Sequence, residues 1–204
     1  MNRFGIALAY FAVAPFAPAT DPVSKETLRA TLDAVGGEAK LFKLFRMKEK
    51  LVVNEDSKAK GSERTSVCEP PKYWWLGKAE RVAEQKEPAT FLVWAWTLAI
   101  LTDPKSKLET VPDIKIGDRE TYGIKVGGSV EPAMTMYFDR ETKLLARIDW
   151  RTDQHVFSDW KEHDGTKYPA KCVGYKAKTG KPWYYTELIG IERLKDLPKE
   201  YTRK

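Results

Sequence analysis

The sequence predicts a mainly β fold with a minor helical part (α+β): one large, curved, antiparallel sheet with helices packed on one face. Three observations carry this. Much of the 204-residue chain falls into short runs in which apolar and polar residues alternate, the two-residue period of a strand. The runs are joined by short turns such as Asp164-Gly165 and Thr179-Gly180, which suit hairpins and leave no room for a crossover. Only two later segments break that period, and no strand–helix–strand alternation appears, so a parallel sheet is disfavoured.

Composition sets the outer limits. Apolar residues make up 42% and charged residues 31%, enough for a folded globule. Thirty-five basic against 29 acidic residues give a net charge of +6. That excludes an acidic calcium buffer and is too mild and too dispersed to indicate nucleic-acid binding. The chain has only two histidines and two cysteines but seven tryptophans, which is meagre equipment for catalysis.

The chain starts with a short basic stretch, Met1 to Arg3, followed by a 13-residue apolar run from Phe4 to Phe16 and then Ala17-Pro18-Ala19. This is the order of a secretory signal peptide. The run is shorter than the about 20 residues that a membrane-spanning helix needs, so no stable span is expected. A core-docked helix is the alternative, weakened by Pro15 and Pro18. Cleavage after Ala19 leaves 185 residues and a net charge of +5, expected to form a single domain over residues 20–204. Export to the periplasm or cell envelope would permit Cys68 and Cys172 to form a disulfide. It would close a loop of about 100 residues, worth roughly 4–5 kcal/mol by loop entropy. Two buried free thiols are the other reading.

Within the exported part, Ser24 is a helix cap, and Leu28, Leu32 and Val35 follow at helical spacing before Gly36-Gly37. From Leu41 to Val53 the period changes to two, which predicts a strand with one basic face. Ser62–Val67 returns, Pro70-Pro71 interrupts, and Lys72–Leu76 is a third strand. Phe91–Leu101, between Pro88 and Pro104, is apolar all round and predicts a buried helix. Strands resume at Thr121–Val126, Ala133–Phe138 (Met134, Met136 and Phe138 on one face), Leu144–Trp150, Val156–Trp160, Lys171–Tyr175 and Trp183–Ile191.

The chain offers no metal-ligand spacing, nucleophile elbow or phosphate loop. Asp159, Glu162, His163 and Asp164 crowd one turn, and an exported hydrolase would have to use them. Lys40, Lys43, Arg46, Lys48 and Lys50 form a basic stretch, read as the solvated face of a strand and not as a nucleic-acid site. Apolar binding remains. Phe42, Leu44, Met47, Trp74, Trp94, Trp96, Met134, Met136 and Phe138 could line a cavity on the concave face, or simply form the core. No cofactor and no metal are expected.

Five segments resemble the periplasmic lipoprotein-carrier superfamily, the LolA/LolB-like proteins, in their divergent outer-membrane lipoprotein-sorting form. They are Leu28–Lys50, Glu69–Trp75, Glu120–Val126, Thr135–Leu145 and, most tellingly, Phe157–Pro169 (Phe-Ser-Asp-Trp-Lys-Glu-His-Asp-Gly-Thr-Lys-Tyr-Pro). The resemblance implies an open half-barrel with helices as a lid. It also implies a non-enzymatic role in carrying or sensing a lipid or lipidated protein, with a further envelope protein as partner and a monomeric state. An envelope structural or interaction protein with a filled core is the alternative. One departure stands out: Arg81–Pro104, with its Trp-rich segment, replaces the family's usual hairpin and aromatic strand.

Overall fold

Ser24 opens the first helix, its hydroxyl accepting a hydrogen bond from Thr27 N at 3.1 Å. This satisfies one of the free donors at the start of α1 (Lys25–Asp33), and Glu26 complements the helix dipole there. Gly36 follows at φ 110°. A Cβ at Gly36 would lie 2.0 Å from the Gly165 carbonyl oxygen, so close backbone approach requires glycine. The computed structural model describes residues 21–77, 79–81 and 83–203, with the side chains of residues 83–86 excepted; the expected leader over residues 1–19 lies outside them.

The strands are β1 (Phe45–Val52), β2 (Ser62–Glu69), β3 (Tyr73–Leu76), β4 (Ala79–Glu80), β5 (Lys107–Ile116), β6 (Arg119–Gly127), β7 (Met134–Asp139), β8 (Leu145–Trp150), β9 (Asp153–His163), β10 (Thr166–Lys176) and β11 (Pro182–Arg193). All belong to one sheet in the order β4-β3-β2-β1-β11-β10-β9-β8-β7-β6-β5, and every described pairing between strands is antiparallel. The sheet does not close: β4 and β5 are its two edges. Bulges at Lys48/Glu49 and Gly174/Tyr175 add local bend and twist.

This order decides where the second helix lies. The chain leaves the sheet at one edge, β4, and re-enters at the other, β5. The connection is α2 (Ala83–Trp96) with a short 3-10 turn, Ala99–Thr102. It packs into the same apolar cluster as the inward residues of the sheet, Phe45, Met47, Met136, Ile148 and Phe157 among them. α1 is tied to the sheet by Thr31 Oγ1 to Tyr122 OH, 2.8 Å, and by Lys167 N donating to Val35 O, 2.9 Å.

The structure corrects the sequence reading in three places. The helix expected over Phe91–Leu101 begins earlier, takes Pro88 into its interior and stops at Trp96. Leu98 adopts φ 60°, and Leu98, Ile100 and Leu101 are fully buried in a tight turn, so the all-round apolarity marks core filling and not helix length. β5 has no clear alternation because it is an edge strand interrupted by a register shift between Val111 and Ile114, where Pro112 sits; edges and bulges are where a sheet tolerates proline. The third correction concerns the cysteines. Cys68 and Cys172 are free and buried. They lie on β2 and β10 with β1 and β11 between them. Cys68 pairs with Phe45 of β1, whereas Cys172 pairs with Thr186, which faces Leu51. Three strand spacings and six positions of register exceed the reach of a disulfide, whose Cα atoms stand at most about 7 Å apart.

Candidate functional site

Alternation along β1 turns Phe45, Met47 and Glu49 inward and Arg46, Lys48 and Lys50 outward. The outward face is the expected basic one, and cross-strand carboxylates pair with it: Arg46 with Glu192 at 2.6 Å and Lys48 with Glu63 at 2.8 Å. The inward face borders a cavity of about 390 Å³, within the roughly 300–1,000 Å³ of small-molecule sites. One wall is α2, through Pro88, Ala89, Leu92, Val93 and Trp96. Facing it are Met47, Glu49 and Leu51 of β1, Trp74 of β3, His155 and Phe157 of β9, and Trp183, Tyr184 and Leu188 of β11. Trp150 and Arg151 stand at the turn between β8 and β9, and Arg151 reaches Glu87 of α2 at 2.6 Å.

Of the nine residues singled out in the sequence, Met47, Trp74 and Trp96 border this cavity. The other six do not. Phe42, Trp94, Met134, Met136 and Phe138 are packed into the core, and Leu44 is half-buried with its carbonyl accepting from Leu194 N at 3.0 Å. Their contacts lie elsewhere: Phe138 stacks on Tyr122, whose OH meets Thr31 of α1 at 2.8 Å, and Phe42 packs against Phe45 and Tyr168. The interior over β6–β8 is filled, while the part over β1–β3 and β9–β11 stays open.

Polar groups inside the cavity were not foreseen from the sequence. Glu49 is 4% exposed and pairs with Arg64 Nε at 2.9 Å. Arg64 and Arg81 both stand over the Trp74 ring, 5.7 and 5.3 Å from its centre. Burial, and then the positive charge of Arg64, lower the Arg81 pKa. Further along the same sheet wall His155 Nδ1 lies 2.6 Å from Tyr184 OH, which lies 3.4 Å from Cys172 Sγ. Burial pushes His155 down to about 4 and Cys172 up to about 12. At neutral pH the chain is therefore an uncharged imidazole, phenol and thiol. Tyr184 reaches this position because its ring lies over Gly174, the residue opposite it in β10. A Cβ there would be 1.9 Å from Tyr184 Cε1. The sequence signal that could have found Glu49 is its parity, a carboxylate in phase with Phe45 and Met47.

The acidic turn does not join this site. Asp159 pairs with Lys171 at 3.3 Å, and His163 lies 3.2 Å from Asp164 and stacks on Phe42. Among the described residues, no three histidine, cysteine or acidic side chains come together in a metal-holding group. No helix among them is long and apolar enough to cross a membrane.

No protein-family model matches the chain, and no curated protein matches it. Solved structures do. A LolA superfamily protein from Nitrosomonas europaea superposes with a TM-score of 0.53 at 9% identity, covering 87% of this chain and 96% of its own. A domain assigned to outer-membrane lipoprotein sorting from Vibrio parahaemolyticus gives 0.53 at 8%, covering 85% and 93%. A DUF1329 family protein from Desulfovibrio piger gives 0.52 at 10%, covering 88% and 96%. Identities this low carry the fold and no more: an unclosed antiparallel half-barrel of LolA type, the architecture that the sequence resemblance implied.

Proposed function

We propose that the protein is a non-enzymatic binder and carrier of a lipid acyl chain, exported to the periplasm and working at the cell envelope. The observation that carries this reading is the open apolar cavity beneath α2, on the concave side of a LolA-type sheet. Its driving force is the exclusion of water from methylene groups, about 0.8 kcal/mol each. At about 30 Å³ per water-sized group, the space accommodates roughly a dozen carbons, so one chain is the natural cargo, free or attached to a protein. Arg151–Glu87 tethers α2 to the turn after β8 at the border of the cavity. An ion pair so exposed contributes at most about 1 kcal/mol, so it can open to admit a chain. The filled-core alternative is disfavoured by the unfilled space over β1–β3 and β9–β11.

The test is expression with the leader in a bacterial host, followed by native mass spectrometry of the periplasmic fraction and titration with a fluorescent fatty acid. A co-purifying lipid or saturable uptake is expected, with uptake of a long-chain fatty acid weakened in Ala89→Trp, which shortens the space. A protein recovered from the cytoplasm would overturn the export reading. The absence of both lipid and uptake would overturn the carrier reading.

A further inference from the structure

The corner of the cavity formed by Glu49, Arg64, Trp74 and Arg81 is over-supplied with donors. Trp74 Nε1 and Arg81 Nε are both buried and make no hydrogen bond. Buried donors left unpaired are uncommon, because each costs the desolvation of a polar group. Charge is out of balance in the same direction. Among the charged residues bordering the cavity, Arg64 is paired with Glu49, Arg151 with Glu87 and Asp153 with Lys176. Among the described side chains, Arg81 has no carboxylate in ion-pair contact. Its backbone N–H donates to Trp74 O at 2.9 Å, which sets it beside Trp74 on the inward face. Glu80, opposite Trp75 in the β3–β4 pairing, belongs to the other face. Among the described side chains, two guanidinium groups and one carboxylate therefore share this corner, an excess of one positive charge.

An apolar trough that ends in two guanidinium groups and an indole N–H has the form of an amphiphile site. Leu92, Val93, Trp96 and Met47 supply its apolar length. We infer that the cargo is a single-chain amphiphile with an anionic oxyacid head, the head accepting hydrogen bonds from Arg81 and Trp74 beside the Arg64–Glu49 pair. This deepens the acyl-chain reading and rests on it. A carboxylate head and a phosphate monoester head present the same acceptor chemistry to a guanidinium fork.

Four dodecyl compounds of matched chain separate the possibilities: dodecanoate, dodecyl phosphate, dodecanol and dodecyltrimethylammonium, titrated by calorimetry below their micelle concentrations at a pH of about 8, where the acids are ionised. The anions should bind at least about tenfold more tightly than the alcohol, as charged hydrogen bonds imply, and the ammonium least tightly. The anion preference should collapse in Arg81→Met and be partly kept in Arg81→Lys. In the wild type it should shrink as salt rises, a reading that needs no variant. Tighter dodecanoate assigns a fatty acid as the source and tighter dodecyl phosphate a lysophospholipid-type head; either supports the inference. Equal binding of alcohol and anions, or a preference for the ammonium, overturns it while leaving the acyl cavity standing. Binding of none of the four overturns the acyl cavity itself.

Discussion

If the space beneath α2 holds an acyl chain, affinity should depend on chain length in a way that its volume sets. The perturbation is a series of n-alkyl carboxylates from six to sixteen carbons, about two carbons apart. Each methylene removed from water contributes about 0.8 kcal/mol, or roughly fourfold in Kd, so two carbons give somewhat more than tenfold. A cavity of about 390 Å³ takes roughly a dozen carbons at about 30 Å³ each. Kd should therefore fall steeply up to that length and flatten beyond it, where further carbons stay in solvent. Displacement of a fluorescent fatty acid below the micelle concentration reads this directly. Ala89→Trp, which adds an indole to the helical wall, should move the plateau to shorter chains. A flat series would refute the cavity as the binding site. So would an affinity that keeps rising steeply up to sixteen carbons and that the variant leaves untouched, since chains would then be adsorbing elsewhere.

Three further outcomes follow from the same geometry. Burial holds the folded His155 pKa at about 4, below the usual value of about 6.5. As pH falls, the unfolded chain takes the proton first, so the stability due to neutral His155 is present above about 6.5 and is lost progressively down to about 4. Wild type should lose about 2 kcal/mol more than His155→Gln between pH 7 and 5 in urea denaturation, and parallel pH curves would contradict this. Arg64→Met strands the buried Glu49 carboxylate and should cost about 3–5 kcal/mol, most of it recovered by adding Glu49→Leu; equal loss in the single and double variants would refute the pairing. Both thiols are buried with raised pKa values and should resist a thiol reagent in the native protein. After denaturation without reductant both should react, whereas a disulfide would leave neither reactive.

Much of the sheet was legible because its signals are local. Asp164 and Gly165 take φ 50° and 69°, the left-handed pair of a tight hairpin turn. Met134, Met136 and Phe138 alternate inward as their spacing indicates. Ser24 caps α1 by a contact three residues long. The limits appear where an element depends on distant neighbours. β9 and β10 extend to 11 residues each, well beyond their apolar centres, because they pair with each other along one long hairpin, from Asp153↔Lys176 to His163↔Thr166. Pro169 lies within β10, although proline usually breaks a strand.

The sequence by itself determined the mainly antiparallel sheet, the capped first helix, the hairpin turns and the shortage of catalytic groups, all properties of residues close together along the chain. It also carried, through degenerate motifs, the resemblance to a half-barrel family. Only the tertiary structure decided which aromatic residues fill and which enclose. Met47 and Phe138 carry the same apolar signal in the same kind of strand, yet one borders open space and the other is stacked on Tyr122, which is tied to α1. That difference comes from where the two helices lie against the sheet, and from the register that brings Glu49, Arg64, Trp74 and Arg81 together. Alternation specifies which face a side chain takes, and long-range packing alone specifies what stands opposite it.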